Sequence, residues 1–168
     1  AKKGKHHIVT SAFEHHAVLH TLEAMERSGT RRAVLVAPGT NGIIDPAEIG
    51  RRVSSTTNMV TVMAANNEVG TLQPIQEISK EIRKNGSKLT VFHTDAVQAV
   101  GHIPVDVQKM GVDMLVMDDG WFGDKYPRKN DSYALGDWTV DKTKLPGGLQ
   151  SLLDNARKHG IRFGIWLE

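Results

Sequence analysis

Apolar and polar positions alternate along this chain in a strand–helix rhythm. "HIVTS" (7–11) reads as a strand. From His15 to Arg27, Val18, Leu22 and Met25 recur at helical spacing, with Glu23, Glu26 and Arg27 outside that stripe. "AVLVA" (33–37) predicts a second strand. "DPAEIGRRV" predicts a helix with Asp45 as N-cap, Pro46 as first residue and Glu48 as capping-box partner. "MVTVMA" (59–64) is a third strand. Pro74 opens another helix, with Ile75, Ile78 and Ile82 as its buried stripe and Gly86 after its end. "LTVFH" (89–93), a short helix near 104–110 and "VDMLVM" (112–117) continue the rhythm. About 28 residues of weak periodicity follow, a length that marks a functional or loosely ordered loop. Pro146 then begins a helix carrying Leu149, Leu152, Leu153 and Ala156, Gly160 follows it, and "IRFGIWL" (161–167) is the sixth strand.

A βαβαβ order with continuous apolar strands predicts an α/β fold whose mostly parallel sheet is covered on both faces. In such sheets ligands bind beyond the carboxyl ends of the strands. The polar residues placed there are His15 and His16; Asn66, Asn67 and Glu68; Asp95 and Gln98; Asp118, Asp119 and Trp121; and Glu168. The alternative reading is that the Asn and Asp residues only make turns and caps.

Composition narrows the classes. The chain has 168 residues, 39% hydrophobic and 24% charged, within the span of one domain. No apolar run approaches the roughly 20 residues of a membrane span, and "AKKGKHHIVT" is not followed by an apolar signal segment. These features predict a soluble, cytoplasmic-type protein without fixing its location. Cysteine is absent, which excludes disulfides, thiolate metal sites and a cysteine nucleophile. A scattered net charge of +2 gives no nucleic-acid footprint. His16 and His20 stand one helical turn apart, but no carboxylate of that helix completes a metal site, so no metal is expected. "GTNG" (39–42) reads as a turn, and Arg31, Arg32, Arg51 and Arg52 as a solvated face. Aromatics are uneven. Only Phe13 and Phe92 precede Asp118, whereas Trp121, Phe122, Tyr126, Tyr133, Trp138, Phe163 and Trp166 follow it. That shift suggests two compositional origins.

The segments "SAFEHHAVLHTLEAME", "VTVMAANNEVGTLQPIQEIS" and "VFHTDAVQAVGHIPVDVQKMGVDML" carry a resemblance over about residues 5–116. They resemble the cysteine desulfurase and selenocysteine lyase family, pyridoxal-phosphate enzymes of the aspartate-aminotransferase fold. The resemblance implies that His15 stacks on the pyridine ring. Asn67 and Gln98 would touch the ring oxygen, and Asp95 would pair with the pyridinium nitrogen. The family continues after "VDML" with the lysine that forms the Schiff base; here the chain reads "VMDDGWFG". Its phosphate-holding turn and catalytic-cysteine loop also have no counterpart in these residues.

"VMDDGWFGD", "LGDW" and "KLPGGLQSLLDNARKHGIRFGIWLE", about 111–168, resemble a strand–loop–helix–strand unit of the retaining α-galactosidases, which are TIM barrels. That resemblance gives Asp118 and Asp119 a sugar-gripping role and places Trp121 beside the sugar. A retaining glycosidase needs two carboxyls about 5 Å apart across the scissile bond. Neighbours on a strand point to opposite faces, so Asp118 and Asp119 do not form that pair.

"GVDMLV" suits both families, and a join there keeps one strand intact for both. The chain is therefore read as an engineered chimera, made to test recombination of fragments of different α/β folds. One α/β domain, 1–168, is expected from two pieces, about 1–116 and 117–168. It would be a three-layer sandwich with a six-stranded sheet: flavodoxin-like order 2-1-3-4-5, plus strand 6 at the edge. No native activity and no resident cofactor are expected. The alternatives are vestigial, non-covalent pyridoxal-phosphate binding at the rim and vestigial galactoside binding at Asp118 and Asp119. No partner is implied beyond self-association through parental surfaces laid bare.

Overall fold

The computed structural model describes residues 7–117, 120–127, 129–130, 133 and 136–165. The class is α/β, and the ladders between the described strands are parallel. The chain divides into two compact units, Ala1–Val112 and Asp113–Glu168.

In the first unit, strands β1 (His7–Ser11), β2 (Arg32–Val36), β3 (Thr57–Thr61) and β4 (Val91–His93) form a sheet in the order β2-β1-β3-β4. Val34, Val9, Val60 and Phe92 are register partners and make one row across all four strands. Helices α2 (Pro46–Arg52) and α3 (Ile75–Asn85) pack on each other, and their Ile49, Ile75, Ile78 and Ile82 join that row in the core. Their side chains supply the large apolar area that drives folding of this unit. Helix α1 (His16–Arg27) packs against β2 and buries Leu22. Glu26 Oε1 accepts from Ala33 N–H at 2.9 Å, which ties the end of α1 to the start of β2.

The α3 expectation holds: Pro74 is the N-cap, the Ile75–Ile78–Ile82 stripe is buried, and Gly86 is the C-cap. Asp45 caps α2 through Ala47 N–H at 2.9 Å, as expected. Glu48 does not complete a capping box. Its carboxylate is taken by Arg51 and Arg52, which hold it below the usual carboxylate range. Two guanidinium donors one turn away outcompete a single backbone N–H. The helix expected near 104–110 is a run of turns instead. Val105, Val107 and Met110 still pack on the core, so the apolar spacing was right and the conformation was not.

The second unit holds β5 (Met114–Met117), α4 (Gly148–Lys158) and β6 (Arg162–Ile165). β5 and β6 pair in parallel, Leu115 opposite Phe163, as a two-stranded sheet. Arg162 bonds Asp113 twice, N–H to carbonyl at 2.9 Å and Nη2 to Oδ1 at 3.0 Å. The α4 stripe of Leu149, Leu152, Leu153 and Ala156 is half-buried, and Met114, Leu115 and Val116 are exposed.

The expected strand order 2-1-3-4-5-6 is therefore corrected to two sheets, 2-1-3-4 and 5-6. The expected parallel β5–β6 pair is present, and it forms a sheet of its own rather than continuing the order past β4. No described helix is long and apolar enough to cross a membrane.

Candidate functional site

Because β1, β3 and β4 are parallel, their carboxyl ends lie along one edge of the four-stranded sheet. His15 follows β1, Asn66 and Asn67 follow β3, and Asp95 and Gln98 follow β4. Three hydrogen bonds stitch these segments together. Glu14 Oε1 accepts from Met63 N–H at 2.9 Å, Asn66 Nδ2 donates to Phe13 O at 2.9 Å, and Ala64 N–H donates to Asp95 O at 2.7 Å.

His15 is exposed, and its Nδ1 accepts from Ala17 N–H at 3.3 Å as the N-cap of α1. Asn67 and Gln98 are exposed. Its neighbour Asn66 is buried and takes the turn-forming role: its Oδ1 accepts from Glu68 and Val69 N–H. Asp95 is half-buried, and its Oδ1 accepts from Val97 N–H at 3.0 Å. His93 shares its Nδ1 with Thr61 Oγ1 at 2.8 Å, and burial pushes its imidazole below the usual range.

Sequence reasoning missed Glu14. It is 4% exposed, and Ser11 Oγ donates to its Oε1 in a short hydrogen bond. Burial raises its carboxyl from 4.5 to about 7, against the lowering effect of Ser11 and Met63, and Asp95 adds a smaller push upward. Among the described residues its Oε2 has no partner, and neither does the buried Thr94 Oγ1 beside Asp95. A third such oxygen, Asn58 Oδ1, lies within β3. Buried oxygens without partners are uncommon, and two of the three belong to the segments carrying His15 and Asp95. The available signal was a serine three residues before a glutamate at a strand end, which marks a local pair but not its burial.

The rim fits a pyridine ring in part. An exposed imidazole, two amides and a carboxylate lie on segments that follow the parallel strands β1, β3 and β4. No described cation belongs to that set, which contains no lysine for covalent attachment.

The second unit has its own aromatic knot. Phe122 is fully buried, edge-on to Trp138 at 4.9 Å and to Trp121 at 5.3 Å, while the two tryptophans stack at 6.3 Å. A bridge between Phe122 and Val140, with Gly123 N–H on Thr139 O and Asp141 N–H on Trp121 O, closes the loop around it. Asp137 accepts from Tyr126 and Lys125 N–H, and these donors hold its carboxyl low. Trp121, expected beside a sugar, is thus 4% exposed. Asp118, Asp119 and Glu168 lie outside the described residues. His16 and His20 stack at 5.2 Å, and no group of three or more described His, Asp or Glu side chains is placed to hold a metal ion.

Residues 1–118 match the aminotransferase class-V family, and residues 80–168 match the melibiase family. The chain belongs to both families. The matches overlap over 80–118, and the boundary between the compact units, at Val112 and Asp113, falls inside that overlap. It is a composite of a class-V aminotransferase fragment and a melibiase fragment.

For the aminotransferase part, similar proteins include the cysteine desulfurase IscS of Methanosarcina thermophila, 45% identical over 113 residues, covering 67% of this chain and 27% of that protein. The probable mitochondrial cysteine desulfurase of Dictyostelium discoideum is 43% identical over 114 residues, covering 68% and 24%. Among solved structures, a NifS-like protein superposes with a TM-score of 0.62 at 38% identity, covering 67% of this chain and 30% of that one. SspA in complex with cysteine superposes at 0.60 and 32% identity, covering 65% and 30%. The chain thus spans about a quarter of the length of these curated relatives.

Proposed function

We propose that this chain is a recombined α/β scaffold, engineered from two family fragments, that performs neither parent's reaction. The observation behind this reading is the change of family at the end of β5. Where the desulfurase resemblance calls for its lysine, the chain passes into "VMDDGWFGD" and the melibiase-like fragment. Without that lysine the reaction has no covalent anchor on the chain, whatever ring-binding groups remain. The test is borohydride reduction in the presence of pyridoxal phosphate, followed by peptide mass spectrometry. The expected result is sparse labelling spread over surface lysines. Stoichiometric labelling of one lysine would contradict the proposal.

A second reading has its own support. His15, Asn67, Gln98 and Asp95 share one strand-end rim, and hydrogen bonds fix the segments that carry them. Residual, non-covalent binding of pyridoxal phosphate follows. Pyridoxal phosphate supplies an electron sink when bound. Asp95 would hold the proton on the pyridine nitrogen, His15 would cover one ring face, and Asn67 and Gln98 would orient the ring oxygen. Titration with pyridoxal phosphate should then give a saturable absorbance change and a higher melting temperature. Asp95→Ala should weaken it by about tenfold or more, the worth of one charge-assisted bond. Equal binding by wild type and Asp95→Ala would remove this reading.

A further inference from the structure

We propose that Glu14 is a positioning residue that sets His15 against Asn67 and Asp95 by tying the β1–α1 turn to the end of β3. The inference rests on the residual ring-binding reading of the rim and adds to it the group that holds the rim in shape.

Glu14 immediately precedes His15 and is buried, whereas His15 is exposed. The His15 imidazole caps α1 through Ala17 N–H, and the turn that carries it is held to the sheet through Glu14. Glu14 Oε1 receives two donors, Ser11 Oγ from the end of β1 and Met63 N–H from just beyond β3. Asn66 Nδ2 closes the same turn from the other side through Phe13 O. Ala64 N–H, one residue past Met63, reaches Asp95 O. The order of coupling is therefore β1 turn, β3 end, β4 end, and Glu14 is the side chain at the first junction. Buried networks of this kind rigidify only when their members stay paired.

The second oxygen matters for how the tie behaves. Oε2 is buried and has no partner among the described residues, and the charged group acting on Glu14 is Asp95. From the other elements packed against it come Ser11, a neutral hydroxyl, and Met63, a backbone N–H. Ionised Glu14 would be a buried charge facing a like charge, so the closed tie favours the protonated carboxyl, raised to about 7. An opened turn returns the carboxyl to water and to its ordinary value of 4.5. The open state therefore gains by about tenfold per pH unit between those values and levels off above the upper one. The tie is fully closed below the lower value and loosens as pH rises through the window.

The experiment is amide hydrogen exchange of the full chain across that pH range, corrected for intrinsic rates, in wild type, Glu14→Gln and Glu14→Ala. In wild type the protection of Met63 and of the first turn of α1 should fall by about tenfold or more between pH 5 and 7. Glu14→Gln keeps an acceptor oxygen and cannot ionise, so its protection should be flat across the same range. Glu14→Ala should lose protection at all pH values, with Ile78 and Ile82 in α3 unchanged. Pyridoxal-phosphate titration adds the functional arm: affinity retained in Glu14→Gln to within about twofold, and lost by about tenfold in Glu14→Ala. A flat wild-type profile, or equal loss in the Gln and Ala variants, overturns the role. If Glu14→Ala fails to fold, the wild-type and Gln profiles still decide it. If wild type binds no pyridoxal phosphate, the ring-binding reading falls alone, and the exchange profiles still judge the tie.

Discussion

Replacing Ile78 with alanine is expected to cost about 3 kcal/mol of stability in the four-stranded unit. Ile78 is fully buried at the centre of the α3 stripe, between Ile75 and Ile82, in the cluster that includes Val9, Val60 and Phe92. Truncation removes its methyl and methylene contacts and leaves a cavity that α2 and the sheet cannot both close. The measurement is urea unfolding followed by far-UV circular dichroism, where the midpoint should fall at an unchanged slope. Lys80→Ala, on the exposed face of the same helix, should move it by less than about 0.5 kcal/mol. A loss below about 1 kcal/mol for Ile78→Ala would mean that α3 is not seated on this sheet.

Phe122→Ala is expected to be more severe for the second unit. Phe122 is the fully buried ring at the centre of the Trp121–Trp138 knot, and its removal should cost about 3–5 kcal/mol. Few other side chains there are deeply covered: α4 has no buried residue, and β5 exposes Met114, Leu115 and Val116. A two-stranded sheet is marginal by itself, and a small unit rarely holds more than about 3–5 kcal/mol. The substitution should therefore unfold this unit outright at 25 °C. All three tryptophans of the sequence follow Val112, and the described ones, Trp121 and Trp138, lie in this unit, so fluorescence reports on it selectively. The expected result is a red-shifted emission without denaturant. A native spectrum with an unchanged transition would show that the knot contributes little.

The sequence carried most of the first unit because its signals are local. Ile75, Ile78 and Ile82 with Gly86 fix α3, and Asp45 with Pro46 fixes the start of α2. The rim was legible in part: a parallel sheet places the ends of β1, β3 and β4 on one edge, whereas Trp121, read onto the same rim, is buried in the second unit. What failed depended on competition or distance. Glu48 has two arginines within a helical turn, and the spacing rule for a capping box does not weigh them. Residues 104–110 have helical apolar spacing, yet Val105 and Val107 reach the core from turns. The single six-stranded sheet extended the order past β4; the expected β5–β6 pair forms, but as a separate two-stranded sheet. Glu14 was invisible because its backbone partner, Met63 N–H, lies 49 residues further along the chain.

Under the proposed function, the chain keeps a sheet and a rim and does not carry out the desulfurase reaction. Sulfide release from cysteine, with pyridoxal phosphate present and a protein-free control beside it, tests this most directly. The predicted result is a rate no higher than the control at any protein concentration. Saturable release that scales with protein and disappears in Asp95→Ala would contradict the account.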